Sequence, residues 1–246
     1  MNIILSTLNA KYIHTNIAIR YLKSYALPEY NSILAKYTIK DPTMNIVSDL
    51  YQKKPDVVGF SLYIWNIEET IKVIRMLKKV KPDVKIIAGR PEVMYDYDYW
   101  LERVPEIDVI VLGEGERTFK QLLDVFTGKD ELSAVQGIAY HKDNQLKITA
   151  PGPKLDLREL PSPFRFTEDI AELGKRITYI ETSRGCPFSC QFCLSSIEVG
   201  VRYFNRDAIK DDIRYLMANG AKTKTIKFVD WNSSTKRLTR YNVYFL

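Results

Sequence analysis

The sequence predicts an α/β protein: an open, doubly wound parallel sheet in its first half, then a second, shorter βα series behind a proline-rich connection. Three observations carry that expectation. Short β-branched runs alternate with stretches of helical period. Runs such as Val109-Ile110-Val111-Leu112 are apolar throughout rather than alternating, as a parallel strand covered on both faces requires. The stretch from Pro151-Gly152-Pro153 to Leu160-Pro161-Ser162-Pro163-Phe164 then breaks all periodicity.

Taken in order, strands are expected at Asn2 to Ser6, Ser32 to Thr38, Val57 to Leu62, Val84 to Ala88 and Val109 to Leu112. Helices are expected between them, at Thr15 to Tyr25, Met44 to Lys53, Ile67 to Lys79 and Thr118 to Thr127. Two strand-like runs from Gln136 to Thr149 flank Lys142-Asp143-Asn144 and read as a hairpin. The second series reads as a strand from Ile177 to Glu181, a cysteine-bearing loop, a helix from Arg206 to Asn219 and a strand from Thr225 to Val229. The expected division is residues 1–135, a hairpin and linker over 136–175, and a second domain over 176–246.

The composition fits this. A chain of 246 residues, 46% hydrophobic and 27% charged, has material for one large or two modest domains and excludes disordered, collagenous and repeat classes. The formal net charge of +6 is dispersed: Arg75, Lys78 and Lys79 follow Glu68 and Glu69 on one helical stretch, a solvated face rather than a nucleic-acid stripe. No apolar run approaches the roughly 18 residues of a membrane span, and Met1 to Ser6 is too short and uncharged for a secretory signal, so a cytoplasmic protein is expected. All three cysteines lie between Cys186 and Cys193, which argues against a disulfide framework and for a reducing compartment.

In a doubly wound sheet, ligands sit beyond the carboxyl ends of the strands. The segments in that place are Ser61-Leu62-Tyr63-Ile64-Trp65-Asn66, Gly89-Arg90-Pro91-Glu92 and Gly113-Glu114-Gly115-Glu116. Each combines small residues with polar or aromatic ones. Singly each is also an ordinary βα turn, where glycine and proline serve backbone geometry; together they outline one rim of a cleft.

Cys186-Pro187-Phe188-Ser189-Cys190-Gln191-Phe192-Cys193 sets three thiols at C-x3-C-x2-C spacing on a loop that leaves a strand. Ligating thiols must be deprotonated, and three thiolates this close need a metal or cluster to neutralise them. A structural zinc would want a fourth ligand, yet there is no fourth cysteine, and His14 and His141 both precede the linker. A [4Fe–4S] cluster with one iron left open accounts for a count of three. Zinc and unligated thiols are the alternatives.

The cysteine motif, with the aromatic Phe192 before its last cysteine, resembles that of radical S-adenosylmethionine (SAM) enzymes. Thr182-Ser183-Arg184-Gly185-Cys186-Pro187 is similar to the variant in members with an N-terminal cobalamin-binding domain, as are Gly113-Glu114-Gly115-Glu116, Leu160-Pro161-Ser162-Pro163 and the rim segments after Gly59 and Ala88. The resemblance implies a Rossmann-like cobalamin domain followed by the first βα units of a TIM-like radical SAM barrel. It implies that Cys186, Cys190 and Cys193 ligate the cluster, that the Phe192 backbone borders the adenine of SAM, and that Asp230 faces its methionine end; a helix N-cap is the other reading of Asp230. Electron donation by a flavodoxin or ferredoxin and an unidentified substrate are implied with it. The cluster would reduce SAM to methionine and a 5′-deoxyadenosyl radical, for methyl transfer or radical rearrangement.

The same resemblance places the cobalamin tail along Ser61, Tyr63, Gly89, Glu92, Gly113 and Glu114. The D-x-H-x-x-G string that supplies a cobalt-ligating histidine does not occur, and His14 reads most simply as a polar residue entering a helix capped by Thr15 or Asn16, so cobalamin is expected without a protein imidazole. Two departures stand out. Where the family has Gly-Gly-Pro the chain has Gly89-Arg90-Pro91, and an arginine is expected to keep that turn out of the positive-φ region and weaken cobalamin binding, so that Arg90→Gly would tighten it. The barrel also needs more βα units than precede Leu246, so a truncated gene or fragment with impaired catalysis is expected, the alternative being a non-catalytic cobalamin- or nucleotide-binding module. The apolar end Tyr241-Asn242-Val243-Tyr244-Phe245-Leu246 would then lack a partner.

Overall fold

The first fold-determining fact is the way one strand feeds two cores. Along β1 (Ile3–Asn9) all seven residues are buried; Ile4 and Leu8 pack into one apolar cluster while Ile3 and Leu5 pack into another on the opposite face. Successive side chains of a strand point to opposite faces, so an apolar run is what a sheet covered on both sides demands. A computed structural model describes residues 1–194, 197, 200–219 and 225–229. The chain divides into two units, Met1–Leu155 and Asp156–Leu246.

In the first unit, β1 is followed by α1 (Ile17–Ala26), β2 (Ser32–Thr38), α2 (Thr43–Gln52), β3 (Val57–Ser61), α3 (Ile67–Val80) and β4 (Lys85–Gly89). Then come α4 (Pro91–Met94), α5 (Tyr97–Arg103), β5 (Val109–Val111), α6 (Gly115–Phe126), β6 (Ile138–Lys142) and β7 (Gln145–Ile148). One sheet takes in all seven strands in the order β2-β1-β3-β4-β5-β6-β7, with β1 to β5 parallel and the last two antiparallel. The predicted doubly wound sheet is therefore present, and its order reverses between β1 and β3, the switch point where such folds bind ligands.

The helices cover the two faces. Ile46 and Leu50 of α2, Ile71, Ile74 and Leu77 of α3, and Trp100 of α5 enter one cluster; Ile19 of α1 and Phe119, Leu122 and Leu123 of α6 enter the other. Each such fully buried side chain contributes about 1.5–3 kcal/mol of transfer free energy. Acidic Glu68 and Glu69 in the first turn of α3 and basic Lys78 and Lys79 in its last turn complement the helix dipole.

Four elements depart from expectation. β1 runs three residues beyond Ser6, because Thr7, Leu8 and Asn9 pair with Lys36, Tyr37 and Thr38 of β2. α6 begins at Gly115 rather than Thr118, which moves Gly115 and Glu116 from the turn into the helix. α4 and α5 were not expected, since four and seven residues are too few to establish a helical period. The hairpin turns at Asp143 and Asn144, with φ of 53° and 59°, the paired left-handed geometry of a two-residue turn.

In the second unit, α7 (Ile170–Leu173) leads to β8 (Ile177–Ile180), β9 (Ser183–Arg184), β10 (Arg202–Tyr203), α8 (Arg206–Asn219) and β11 (Thr225–Phe228). β8 pairs in parallel with β11, so β8, α8 and β11 form a βαβ crossover, while β9 and β10 make a short antiparallel pair. Asp212 of α8 anchors the proline-rich segment: its Oδ1 accepts from Ser162 Oγ at 2.6 Å and from the Arg165 guanidinium at 3.1 Å, and Arg165 lies 4.0 Å from the Tyr215 ring centroid. Burial raises the Asp212 carboxyl pKa, with Ser162 and Arg165 opposing.

Candidate functional site

The carboxyl ends of β3, β4 and β5 carry the rim segments. Two buried asparagines join the ends of β1 and β3 across the switch point. Asn16 Nδ2 donates to Thr7 Oγ1 and to Ser61 Oγ, each at 3.1 Å, while its Oδ1 accepts from the N–H groups of Ala18 and Ile19 and so caps α1. Of the two expected caps, Thr15 and Asn16, it is the second. Asn66, 1% exposed, donates from Nδ2 to the Leu8 and Ser61 carbonyls at 3.0 and 3.1 Å and accepts from the Tyr63 N–H at 2.8 Å. These amides fix the β1 and β3 ends to each other and set the root of the Ser61–Asn66 loop. Neither positioning role was singled out from sequence; the available signal was an Asn preceding each amphipathic helix.

Beyond that root the loop is aromatic and exposed. Tyr63 and Trp65 stack at 4.3 Å between ring centroids and 9° between planes, and Ile64 beside them is 78% exposed. Arg90, from the neighbouring turn, donates from Nε to Tyr63 Oη at 2.9 Å and sets its guanidinium carbon 5.4 Å from the Tyr63 ring centroid. The expectation that arginine keeps this turn out of positive φ is overturned: Arg90 has φ 88° and ψ 172°. That region is essentially glycine's, and occupying it costs an arginine about 1–3 kcal/mol. The contacts to Tyr63 offset part of the cost. Gly89 has no positive φ, and a Cβ there would meet only Val111 at 3.6 Å, an ordinary contact.

The other predicted rim residues differ in what they offer. Ser61 is buried and bonded to Asn16. Glu114 Oε2 accepts from the Leu155 N–H at 3.2 Å, tying down the chain as it leaves the sheet. Glu92 is half-buried, and burial followed by the nearby Asp96 carboxylate raises its pKa. Gly113 has φ 96° with open space where a Cβ would point, so backbone conformation alone requires glycine there. At the end of β1, Asn9 Nδ2 is buried with no hydrogen-bond partner among the described residues.

In the second unit the residues before the cysteines are held from both sides. Arg184 donates from Nε and from its terminal nitrogen to Glu181 Oε2 at 3.1 and 2.9 Å and lies 5.5 Å from the Phe204 ring centroid, while the Phe204 N–H bonds to the Thr182 carbonyl. Gly185 then turns the chain at φ 90°. Cys186, Cys190 and Cys193 are not joined by disulfides, and the Cys193 N–H bonds to the Cys190 carbonyl at 3.2 Å. The donor set has the chemistry of a cluster site, but the side chains are not gathered: among the described residues no three His, Cys, Asp or Glu groups stand together to hold a metal. Phe192 is 93% exposed on this loop, and Asp230 lies outside the described residues, as do Tyr241 to Leu246.

Residues 4–123, which contain every predicted rim residue, match the family model of the B12 binding domain. Over 210 residues the chain is 29% identical to the cobalamin-dependent radical SAM methyltransferase TokK of Streptomyces tokunonensis, covering 79% of this chain and 30% of that protein. The chain carries a B12 binding domain and is related to cobalamin-dependent radical SAM methyltransferases. An uncharacterized methyltransferase of Pyrococcus horikoshii, PH0819, is 28% identical over 195 residues, or 76% of this chain and 42% of that one. The fold matches the cobalamin-dependent SAM radical enzyme OxsB with aqua-cobalamin and SAM bound, at a TM-score of 0.82 and 20% identity over 94% of this chain and 34% of that one. The chain thus spans less than half the length of those relatives. Its seven-stranded unit contains the matched B12 binding domain, and among the described residues no helix is long and apolar enough to cross a membrane.

Proposed function

We propose that the chain is the cobalamin-binding and cluster-bearing part of a radical SAM enzyme that carries out methyl transfer or radical rearrangement. The observation that carries this is the pairing, in one chain, of a B12-binding domain with three cysteines at C-x3-C-x2-C spacing directly after β9. Cys186, Cys190 and Cys193 would hold a [4Fe–4S] cluster, with the Phe192 backbone beside the adenine of SAM and Asp230 near its methionine end. When bound, the cluster supplies the electron that cleaves SAM to methionine and a 5′-deoxyadenosyl radical, and cobalamin supplies the methyl-carrying metal.

The chain's own residues have positioning work. Arg184, locked between Glu181 and Phe204, fixes the direction in which the cysteine loop leaves β9. Asn16 and Asn66 set the floor of the rim, and Tyr63, Gly89, Glu92 and Gly113 border the space above it, with Ser61 and Glu114 supporting from beneath through their bonds to Asn16 and Leu155. His14 has no assigned part, so the cobalt would have no protein imidazole. A flavodoxin or ferredoxin would supply electrons. After anaerobic reconstitution and reduction, adding SAM should change the cluster's EPR signal, because the amino and carboxylate groups of SAM would occupy the open iron. A signal that SAM leaves unchanged would contradict the assignment.

A further inference from the structure

The structure contains one costly feature that the fold does not require. Arg90 stands at φ 88° and ψ 172°, where glycine would stand freely, and its side chain makes no cap hydrogen bond to α4. What the side chain does is reach across to the next loop. Its Nε hydrogen bonds to Tyr63 Oη at 2.9 Å, and its guanidinium lies over the Tyr63 ring, which in turn stacks on Trp65. The loop root is already fixed by the Tyr63 N–H bond to Asn66. Arg90 fixes the other end, the exposed rings, which would otherwise sample several rotamers on a surface loop.

We propose that Arg90 is a positioning residue: it accepts a strained backbone in order to hold the Tyr63–Trp65 stack as a preformed aromatic platform on the cobalamin rim. This rests on the cobalamin reading above. Preorganisation lowers the ordering cost that two mobile rings would impose on binding. It reverses the expectation drawn from sequence, because Arg90→Gly relaxes the turn but releases the platform.

The test is a cycle of Arg90→Gly, Tyr63→Phe and the double variant in the full chain, read by thermal melting, by ligand-free near-ultraviolet circular dichroism and by titration with hydroxocobalamin. Arg90→Gly should raise Tm by a few degrees, diminish the tryptophan signal of the ligand-free protein, and weaken cobalamin binding by roughly 5- to 10-fold. Tyr63→Phe keeps the ring and removes the acceptor, and should loosen the platform without raising Tm. The double variant should bind no more weakly than the weaker single variant, because both changes cut one connection. Additive losses would overturn the proposal by showing that Arg90 contacts the ligand itself. Equal or tighter binding by Arg90→Gly would overturn it while leaving the cobalamin reading intact. Absence of binding by every variant and the wild-type chain would overturn both.

Discussion

Replacing Cys190 with alanine is expected to reduce the iron and sulfide taken up on anaerobic reconstitution from about four of each per chain to near zero, with loss of the broad visible absorbance of the cluster. The expectation follows from the donor count. Cys186, Cys190 and Cys193 are the only cysteines in the sequence, and His14 and His141 are its only histidines, both in the other unit. Two remaining thiols cannot hold three irons. Because the loop is exposed and free of disulfides, the substitution should leave the secondary structure and melting of the first unit unchanged, which separates loss of the cluster from loss of the fold. Stoichiometric zinc without sulfide in the wild-type protein would contradict the cluster assignment.

Asn66→Ala is expected to destabilise the cobalamin-binding domain by about 2–5 kcal/mol. The amide is buried and makes three hydrogen bonds that span the ends of β1 and β3, and alanine leaves the Leu8 and Ser61 carbonyls and the Tyr63 N–H without that partner. Each buried group so abandoned costs about 1–3 kcal/mol when water cannot replace the partner. Urea unfolding followed by circular dichroism measures the change, and the same variant should bind cobalamin more weakly because the rim loses its floor. Asn66→Asp keeps the acceptor for Tyr63 and loses the donors, so it should retain the loop root while still weakening the strand-to-strand tie. A loss below about 0.5 kcal/mol for Asn66→Ala, within the range of ordinary surface substitutions, would show that the two strand ends need no amide bridge.

The sheet was legible because burial on both faces writes a continuous apolar run, and Val109-Ile110-Val111 or Ile3-Ile4-Leu5 can hardly be accommodated otherwise. The rim was legible as a location, since strand ends fix where ligands go in a doubly wound sheet. Its internal wiring was not. Whether an asparagine caps a helix, bridges two strands or does both depends on residues far away in sequence: Asn16 reaches Ser61, and Asn66 reaches Leu8. Arg90 shows the opposite failure. The local rule that arginine avoids positive φ was sound as an energy, but it did not decide this turn, where Arg90 takes that backbone with its side chain bonded to Tyr63. The short helices α4 and α5 left no period to read, and the start of α6 at Gly115 was hidden because glycine there signals a turn in isolation. The cysteine spacing suggested a donor set without fixing its geometry, and among the described residues no three His, Cys, Asp or Glu groups stand together.

The most direct test of the central claim is a titration of the full chain with hydroxocobalamin, followed by EPR of the bound cofactor after reduction to cob(II)alamin. Saturable binding of one cobalamin per chain is predicted, weakened by Asn66→Ala and unaffected by His14→Ala. The cob(II)alamin spectrum should lack superhyperfine splitting from a protein imidazole nitrogen. No binding by a chain whose circular dichroism shows it folded, or a nitrogen splitting that His14→Ala removes, would contradict it.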